Sequence, residues 1–220
     1  MQKPLDFVLI GRSGSGKGTQ AKFLIEHFGN LHSFTTGDMF RSLAKADTAV
    51  GAKIRKILVE GGLPLDDIAT TLWMHEISFN LKEGEGIIAD GFPRRLPEAK
   101  NLDRFLEFLG RMDSTFFILI DISREEAFNR LTKRRQCEKC GRLIPWVGEF
   151  KKLEVCDECG GKLITRPDDV EEAINNRLDY YEENVEPVVD YYKKQGKLIR
   201  INGEQPIEDV FKDILKAIEK

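Results

Sequence analysis

The segment Gly11-Arg12-Ser13-Gly14-Ser15-Gly16-Lys17-Gly18-Thr19 holds the residues best suited to chemistry in this chain. Its glycines let a backbone curl until successive N–H groups face one anion, and a helix opening at its end adds a positive dipole terminus. Lys17 supplies a point charge for the outer phosphates of a nucleotide, and the Thr19 hydroxyl suits the Mg²⁺ that travels with them. A ligand-free glycine turn is the plainer alternative, but a turn needs neither the lysine nor the threonine. The same motif serves ATPases, GTPases and kinases, so alone it names no reaction.

The second chemical group is Cys137-x2-Cys140 and Cys156-x2-Cys159, with fifteen residues between the pairs and no cysteine elsewhere. Four thiolates at this spacing complete a tetrahedral zinc shell, and Gly141 and Gly160 permit the tight turn after each pair. Such a metal is structural, because its closed shell leaves no position for a substrate. Fe²⁺ fits the same ligands, and disulfides or redox chemistry are the remaining alternatives. Glu149, Glu154, Asp157 and Glu158 in the same segment argue against a zinc ribbon that grips a phosphate backbone. Arg130, Arg134 and Arg135 crowd together just before it and mark a local anion site. His27, His32 and His75 share no ligand spacing. Tyr180, Tyr181, Tyr191 and Tyr192 fall at helical spacing and read as packing residues.

Both groups need a scaffold. Short apolar runs at Phe7–Ile10, Ser33–Thr36, Gly86–Ala89, Thr115–Ile120 and Leu198–Ile201 read as buried parallel strands. Helices are expected from Gly16 to Phe28, in several pieces from Asp38 to about Asn80, over Pro97–Leu109 and over Arg124–Arg135. Asp168-Asp169 can cap a long helix through Val188 that Pro187 kinks, and Pro206 opens a last one. Alternation of strands and helices implies an α/β fold, a doubly wound five-stranded parallel sheet with the phosphate loop after its first strand. Residues 136–166 lack that periodicity and read as a small inserted unit.

At 220 residues the chain can bury a full core, and its net charge of −3 provides no general attraction to nucleic acid or an anionic membrane. No apolar run reaches the ~20 residues of a membrane helix, and the N-terminal run is too short for a signal peptide, so a cytoplasmic protein is expected.

Several strings now combine. Lys17-Gly18-Thr19-Gln20-Ala21 is similar to the phosphate loop of adenylate kinases, and Thr36-Gly37-Asp38-Met39 with Arg41 resembles the start of their monophosphate-binding helix. Asp90-Gly91-Phe92-Pro93-Arg94 resembles the family's most diagnostic string. The likeness continues through Arg130-Leu131-Thr132-Lys133-Arg134-Arg135, Arg166-Pro167-Asp168-Asp169, Arg177 and Gly203, and so covers essentially the whole chain in order.

The resemblance implies a monomer that moves a phosphoryl group reversibly from ATP to AMP, giving two ADP, with Mg²⁺ and a structural Zn²⁺. It implies a core of residues 1–34, 65–133 and 170–220, a helical monophosphate-binding segment at 35–64 and a zinc lid at 134–169. Lys17, Arg94, Arg130, Arg134, Arg166 and Arg177 would carry the transfer. Gly14, Ser15, Gly16, Gly18, Thr19 and Gln205 would join Lys17, Arg130 and Arg134 around ATP. Thr36, Arg41, Gly62, Leu63, Pro64, Gly91 and Glu98 would meet AMP together with Arg94, Arg166 and Arg177, while Thr19 and Asp90 would hold Mg²⁺ through water. Arginine suits these places because its planar fork binds phosphate oxygens in pairs and stays charged. Arg95 and Arg135 read as supporting charges.

Five positions depart from the family pattern. Ser13 replaces proline, Lys133 a glycine, and Ile144-Pro145 a Tyr-His pair. Glu98 stands where a glutamine normally reads adenine; an ionised carboxylate only accepts, which suits the N1–H and N2 amino group of guanine. The expectation is AMP as the main acceptor with weaker discrimination against GMP. Another acceptor base, or a nucleotide sensor without turnover, are the rival readings.

Overall fold

The computed structural model describes residues 3–60, 62, 64–166 and 169–219. Leu63, expected at the acceptor, and Asp168, expected to cap a helix, lie outside the described residues. The chain runs through β1 (Asp6–Ile10), α1 (Lys17–Phe28), β2 (Leu31–Thr35), α2 (Thr36–Lys45), α3 (Ala49–Val59) and α4 (Asp66–Asn80). Next come β3 (Gly86–Asp90), α5 (Leu96–Phe108), β4 (Thr115–Asp121) and α6 (Arg124–Thr132). Three short strands follow, β5 (Arg135–Cys137), β6 (Leu143–Ile144) and β7 (Leu163–Thr165). The chain then continues through α7 (Glu171–Tyr180), α8 (Glu186–Lys194), β8 (Leu198–Asn202) and α9 (Ile207–Ile218).

The main sheet is parallel with strand order β2-β3-β1-β4-β8. Side chains alternate across each strand, so β1 sends Val8 and Ile10 to one apolar layer and Phe7 and Leu9 to the other. The first layer packs under α4, α5 and α8, with Trp73 stacked on Phe92 at 5.3 Å, and the second under α1 and α9. Each fully buried Leu or Phe contributes about 1.5–3 kcal/mol. At the sheet's amino end, the buried Asp6 carboxylate accepts the Ile87 N–H at 2.8 Å and pairs with Arg111 at 2.9 Å.

Because β1 has β3 on one side and β4 on the other, the connections leave it in opposite directions and open a crevice at its carboxyl end. Gly11, Thr36, Gly91, Ile122 and Gly203 follow the five strands directly and meet around that crevice.

The sequence reading is corrected in three places. Thr36 starts α2 instead of ending a strand, because the Thr35 side chain accepts the Asp38 N–H as a cap. The helix expected through Arg135 stops at Thr132, and Arg135 enters an antiparallel sheet ordered β6-β5-β7. Asp169 caps nothing; Val170 precedes α7 and makes no side-chain cap. The expected kink is a π-helical turn over Tyr181–Val185 just ahead of Pro187, where a wider turn accommodates a ring that cannot donate and would strike the preceding carbonyl.

Candidate active site

The phosphate loop leaves β1 at Gly11, whose φ is +150° and where an added Cβ would meet the Ile120 carbonyl oxygen at 2.4 Å, so no larger residue fits between β1 and β4. Gly16 then adopts φ +99° to start α1. Lys17 Nζ donates to the Gly11 and Arg12 carbonyl oxygens at 2.8 and 2.9 Å, which bends the ammonium back into its own loop. Arg12 straps the loop to the π turn: it donates to Glu186 at 3.0 Å and lies 4.4 Å over the Tyr181 ring.

Charge converges on this loop from several elements. Desolvation lowers the Lys17 pKa; Asp90 opposes that, and the Arg94 and Arg134 charges reinforce it. Burial pushes the Asp90 carboxyl up, against the pull of Lys17 and Arg94 and with the help of Asp38. Asp90 ends β3 against the start of α1, and a Cβ at Gly18 would lie 3.6 Å from its Oδ2. A buried hard oxygen in such a place, with the Thr19 side chain one residue on, fits the needs of Mg²⁺.

Asp169, whose side chain is 0 % exposed, is the anchor the sequence reading missed. Both its oxygens accept from Arg134 at 2.8 Å, and Oδ1 also accepts from Arg177 at 2.8 Å. Burial works against its ionisation, yet these two arginines hold its pKa below the usual value. Arg177 further donates to the Ala173 carbonyl at 3.0 Å. Arg130, 8 % exposed, is held by Glu126 at 2.6 Å and the Gly203 carbonyl at 3.0 Å. In α2, Asp38 accepts from Arg41 at 2.6 Å; burial raises its pKa, and Thr35, Arg41 and the charge of Arg166 outweigh that rise. Arg166 belongs to the cysteine unit, so that unit reaches across to α2.

Two cavities open in this region, one of them walled by the loop itself. One is walled by Gly14, Ser15, Gly16, Thr19, Arg130 and Gln205, with Pro145 and Val147 of the cysteine unit closing it. Of the Ile144-Pro145 pair that departs from the family pattern, Pro145 lines this cavity while Ile144 is buried. Gln205 is steadied by Asp213 at 2.8 Å. The other cavity is bounded by Thr36, Phe40, Pro64, Gly91, Arg94 and Glu98. Thr36 Oγ1 and Arg94 Nε both donate to the Gly91 carbonyl, at 3.0 and 2.6 Å. Gly62 is absent from this wall and donates its N–H to the Ile57 carbonyl at 2.9 Å. Tyr180, read as packing, lines it instead, its hydroxyl accepting from Arg95 at 3.0 Å. Ala69 and Asp66 line it as well, and Arg95, read as a supporting charge, also stands in this wall. Nothing in periodicity or motif distinguishes Tyr180, Ala69 and Asp66 from ordinary helix positions.

The four cysteine sulfurs lie within 4.8 Å of one another, with Cys137–Cys159 at 3.5 Å and Cys140–Cys156 at 3.7 Å. Tetrahedral zinc with ~2.3 Å bonds spaces its sulfurs by ~3.8 Å, so the donor set fits. The cysteines are not joined as disulfides. The Cys140 backbone N–H donates to Cys137 Sγ at 3.5 Å and is the main influence lowering that thiol to about 6. Gly161 is also required: a Cβ there would come 2.7 Å from Cys137 Sγ. Arg135 braces the unit by donating to the Phe150 carbonyl at 2.7 Å and to that of Leu153, with Trp146 5.3 Å beneath it.

Known proteins agree with this geometry. Residues 9–197 match the family model described as adenylate kinase. An adenylate kinase of Carboxydothermus hydrogenoformans is 40 % identical over 218 residues, 98 % of this chain and all of that protein. One from Methanocella arvoryzae is 41 % identical over 98 % of this chain and 99 % of its own length, and one from Thermosipho africanus is 37 % identical over 98 % and 100 %. A phosphate loop at the switch point of a parallel sheet, ringed by arginines and matched from end to end by these relatives, leads to one conclusion: the chain belongs to the adenylate kinase family.

Proposed function

We propose that this protein transfers the terminal phosphoryl group of ATP to AMP, giving two ADP, between these two cavities. The observation that carries the reading is the convergence on Lys17 of the charges of Asp90, Arg94 and Arg134, which together come from four separate segments. Phosphoryl transfer requires alignment and charge neutralisation more than covalent help, and such a cluster supplies both.

In this reading the N–H groups of Gly14–Thr19 and Lys17 hold the donor phosphates, and Gln205, Pro145 and Val147 border its nucleoside. Arg41 and Arg94 hold the acceptor's phosphate, and Thr36, Pro64, Gly91 and Glu98 surround its base. Arg130, Arg134, Arg166 and Arg177 surround the migrating group. Mg²⁺, when bound, neutralises the donor phosphate oxygens, with Asp90 and Thr19 holding its water shell. A structural Zn²⁺ on Cys137, Cys140, Cys156 and Cys159 stiffens residues 134–169 as a lid. That lid and residues 35–64 close over the core segments 1–34, 65–133 and 170–220 to exclude water. We further take the protein to be a cytoplasmic monomer; no helix among the described residues is long and apolar enough to cross a membrane. The relatives named above lend no support to a different acceptor base or to a sensor without turnover.

Purified protein with Mg·ATP and AMP, GMP, CMP or UMP tests this. AMP is expected to give the fastest ADP formation, and Lys17→Ala is expected to lower it by about 10²–10³-fold. Equal turnover by Lys17→Ala refutes the assignment.

A further inference from the structure

Arg12 is the second residue of the phosphate loop, a position that the loop motif leaves open. Its backbone carbonyl accepts the Ser15 N–H at 3.1 Å and the Lys17 ammonium at 2.9 Å, so the setting of this one peptide helps fix where the lysine sits. Its side chain lines neither cavity and crosses to other elements. Nη1 donates to the carbonyl of Ile122, just beyond β4, at 3.1 Å, and Nη2 donates to Glu186 at the start of α8 at 3.0 Å. The guanidinium lies 4.4 Å over the buried ring of Tyr181. Glu182 at 3.6 Å and Asp121 at 3.9 Å complete a seat that leaves the side chain 13 % exposed.

This seat is more specific than a surface ion pair. Glu186 is half exposed, and pairs of that kind contribute ~1 kcal/mol at most. Glu182 is shared with Arg124 at 3.1 Å, and Asp121 with Arg200 at 2.9 Å. The directional part comes from the Ile122 carbonyl and the Tyr181 face, which a planar guanidinium engages together and an ammonium does not.

The far end of this strap leads back to the chemistry. Tyr181 opens the π turn directly after α7, and Arg177 stands four residues earlier, about one turn up the same helical run. Arg177 and Arg134 both donate to Asp169 Oδ1 at 2.8 Å. The loop that grips the donor and the arginines around the migrating group are therefore joined through one side chain.

We propose that Arg12 is a positioning residue for phosphoryl transfer, holding the phosphate loop in register with the helical run that carries Arg177. The inference rests on the reading of this site as a phosphotransferase centre. Because Arg12 lines neither cavity, its loss leaves both nucleotides bound and misaligns the groups that act on them.

The test is steady-state kinetics of the wild type, Arg12→Ala, Arg177→Ala and the double variant, each with its melting temperature. In Arg12→Ala, kcat is expected to fall about tenfold or more, with KM for ATP and for AMP within about twofold of wild type. In the Arg177→Ala background the same change is expected to lower kcat by less than about threefold, because the arginine it positions is gone. Arg12→Lys should stay close to Arg12→Ala in kcat, since an ammonium does not replace the fork. A role confined to stability lowers the melting temperature and leaves kcat per folded enzyme unchanged. That result overturns the proposal, as do equal fractional losses in the two backgrounds, a loss seen only in KM, or full recovery by Arg12→Lys. If Arg12→Ala does not fold, Glu186→Ala carries the test: kcat is expected to fall about threefold with KM unchanged, and an unchanged kcat overturns the proposal. A wild type without turnover defeats the kinase reading itself; an active wild type with additive losses removes only the proposal.

Discussion

The five-stranded sheet keeps Phe7, Leu9, Phe117 and Ile118 fully buried and rests on packing, whereas in residues 134–166 the buried side chains are Cys137, Ile144 and Cys156. The sheet gains free energy from area removed from water, which about thirty residues cannot supply by themselves. The cysteine unit uses directional bonds instead: four sulfurs around one point, Arg135 on two carbonyls, and Arg142 tied to Asp157 at 2.8 Å and to Glu158. The proposed lid motion is compatible with this build, since a unit held by a few directional bonds rather than by a wide apolar face can shift as a solid piece.

Removing the metal should expose the difference most strongly. Replacing Cys137 and Cys156 by serine is expected to abolish stoichiometric zinc binding. Hydrogen-exchange protection over β5–β7 should fall by about 10²-fold or more, a loss well within the binding energy of a structural zinc. The amides of β1, β3 and β4 should keep their protection. Equal protection across both regions in the variant means that packing, and not sulfur, holds the lid.

Asp169→Asn strikes the joint between the two regions. Without the charge, Arg134 and Arg177 lose their shared partner, and unfolding should cost about 2 kcal/mol less by denaturant titration. The pH dependence has a definite sign. A carboxylate whose folded pKa is depressed contributes stability above its unfolded value of ~3.9, and that contribution disappears as pH falls below it. Wild-type stability should therefore drop more steeply than the variant's on acidification below about pH 4. Parallel acid profiles would leave Asp169 without this role. The smallest effect is expected from Lys22→Ala. Its 3.9 Å pair with Glu158 joins α1 to the cysteine unit, but both side chains are more than half exposed. The stability change should stay within about 0.5 kcal/mol, and a larger one would mean that surface charge also locks the regions together.

Most strands of the main sheet were legible to within a few residues because β1, β3, β4 and β8 contain apolar runs, a signal carried by neighbours in the chain, whereas the mixed Leu-His-Ser-Phe-Thr of β2 was read less closely. The phosphate loop and the cysteine pairs were legible for the same reason, since their chemistry lies within nine residues and within two short knuckles. Asp169 was not. In sequence it resembles any acidic residue before a helix, and only the approach of Arg134 and Arg177 from different elements makes it an anchor. Tyr180 packs against the core as its helical spacing implies, but spacing does not say that it also lines the acceptor cavity.

Residue type and local spacing by themselves determined which groups are present: an amide-rich loop with a lysine, a ring's worth of arginines, four thiols, and a glutamate where an amide is usual. Tertiary structure decided what state those groups occupy. Protonation, pairing and orientation depend on solvent exclusion and on charges brought close by distant segments, and both act over a few ångströms of space regardless of chain separation. Asp169 carries that lesson most plainly, since the sequence specifies a carboxyl and the fold seats it, buried, between Arg134 and Arg177, whose charges hold its pKa below the usual value.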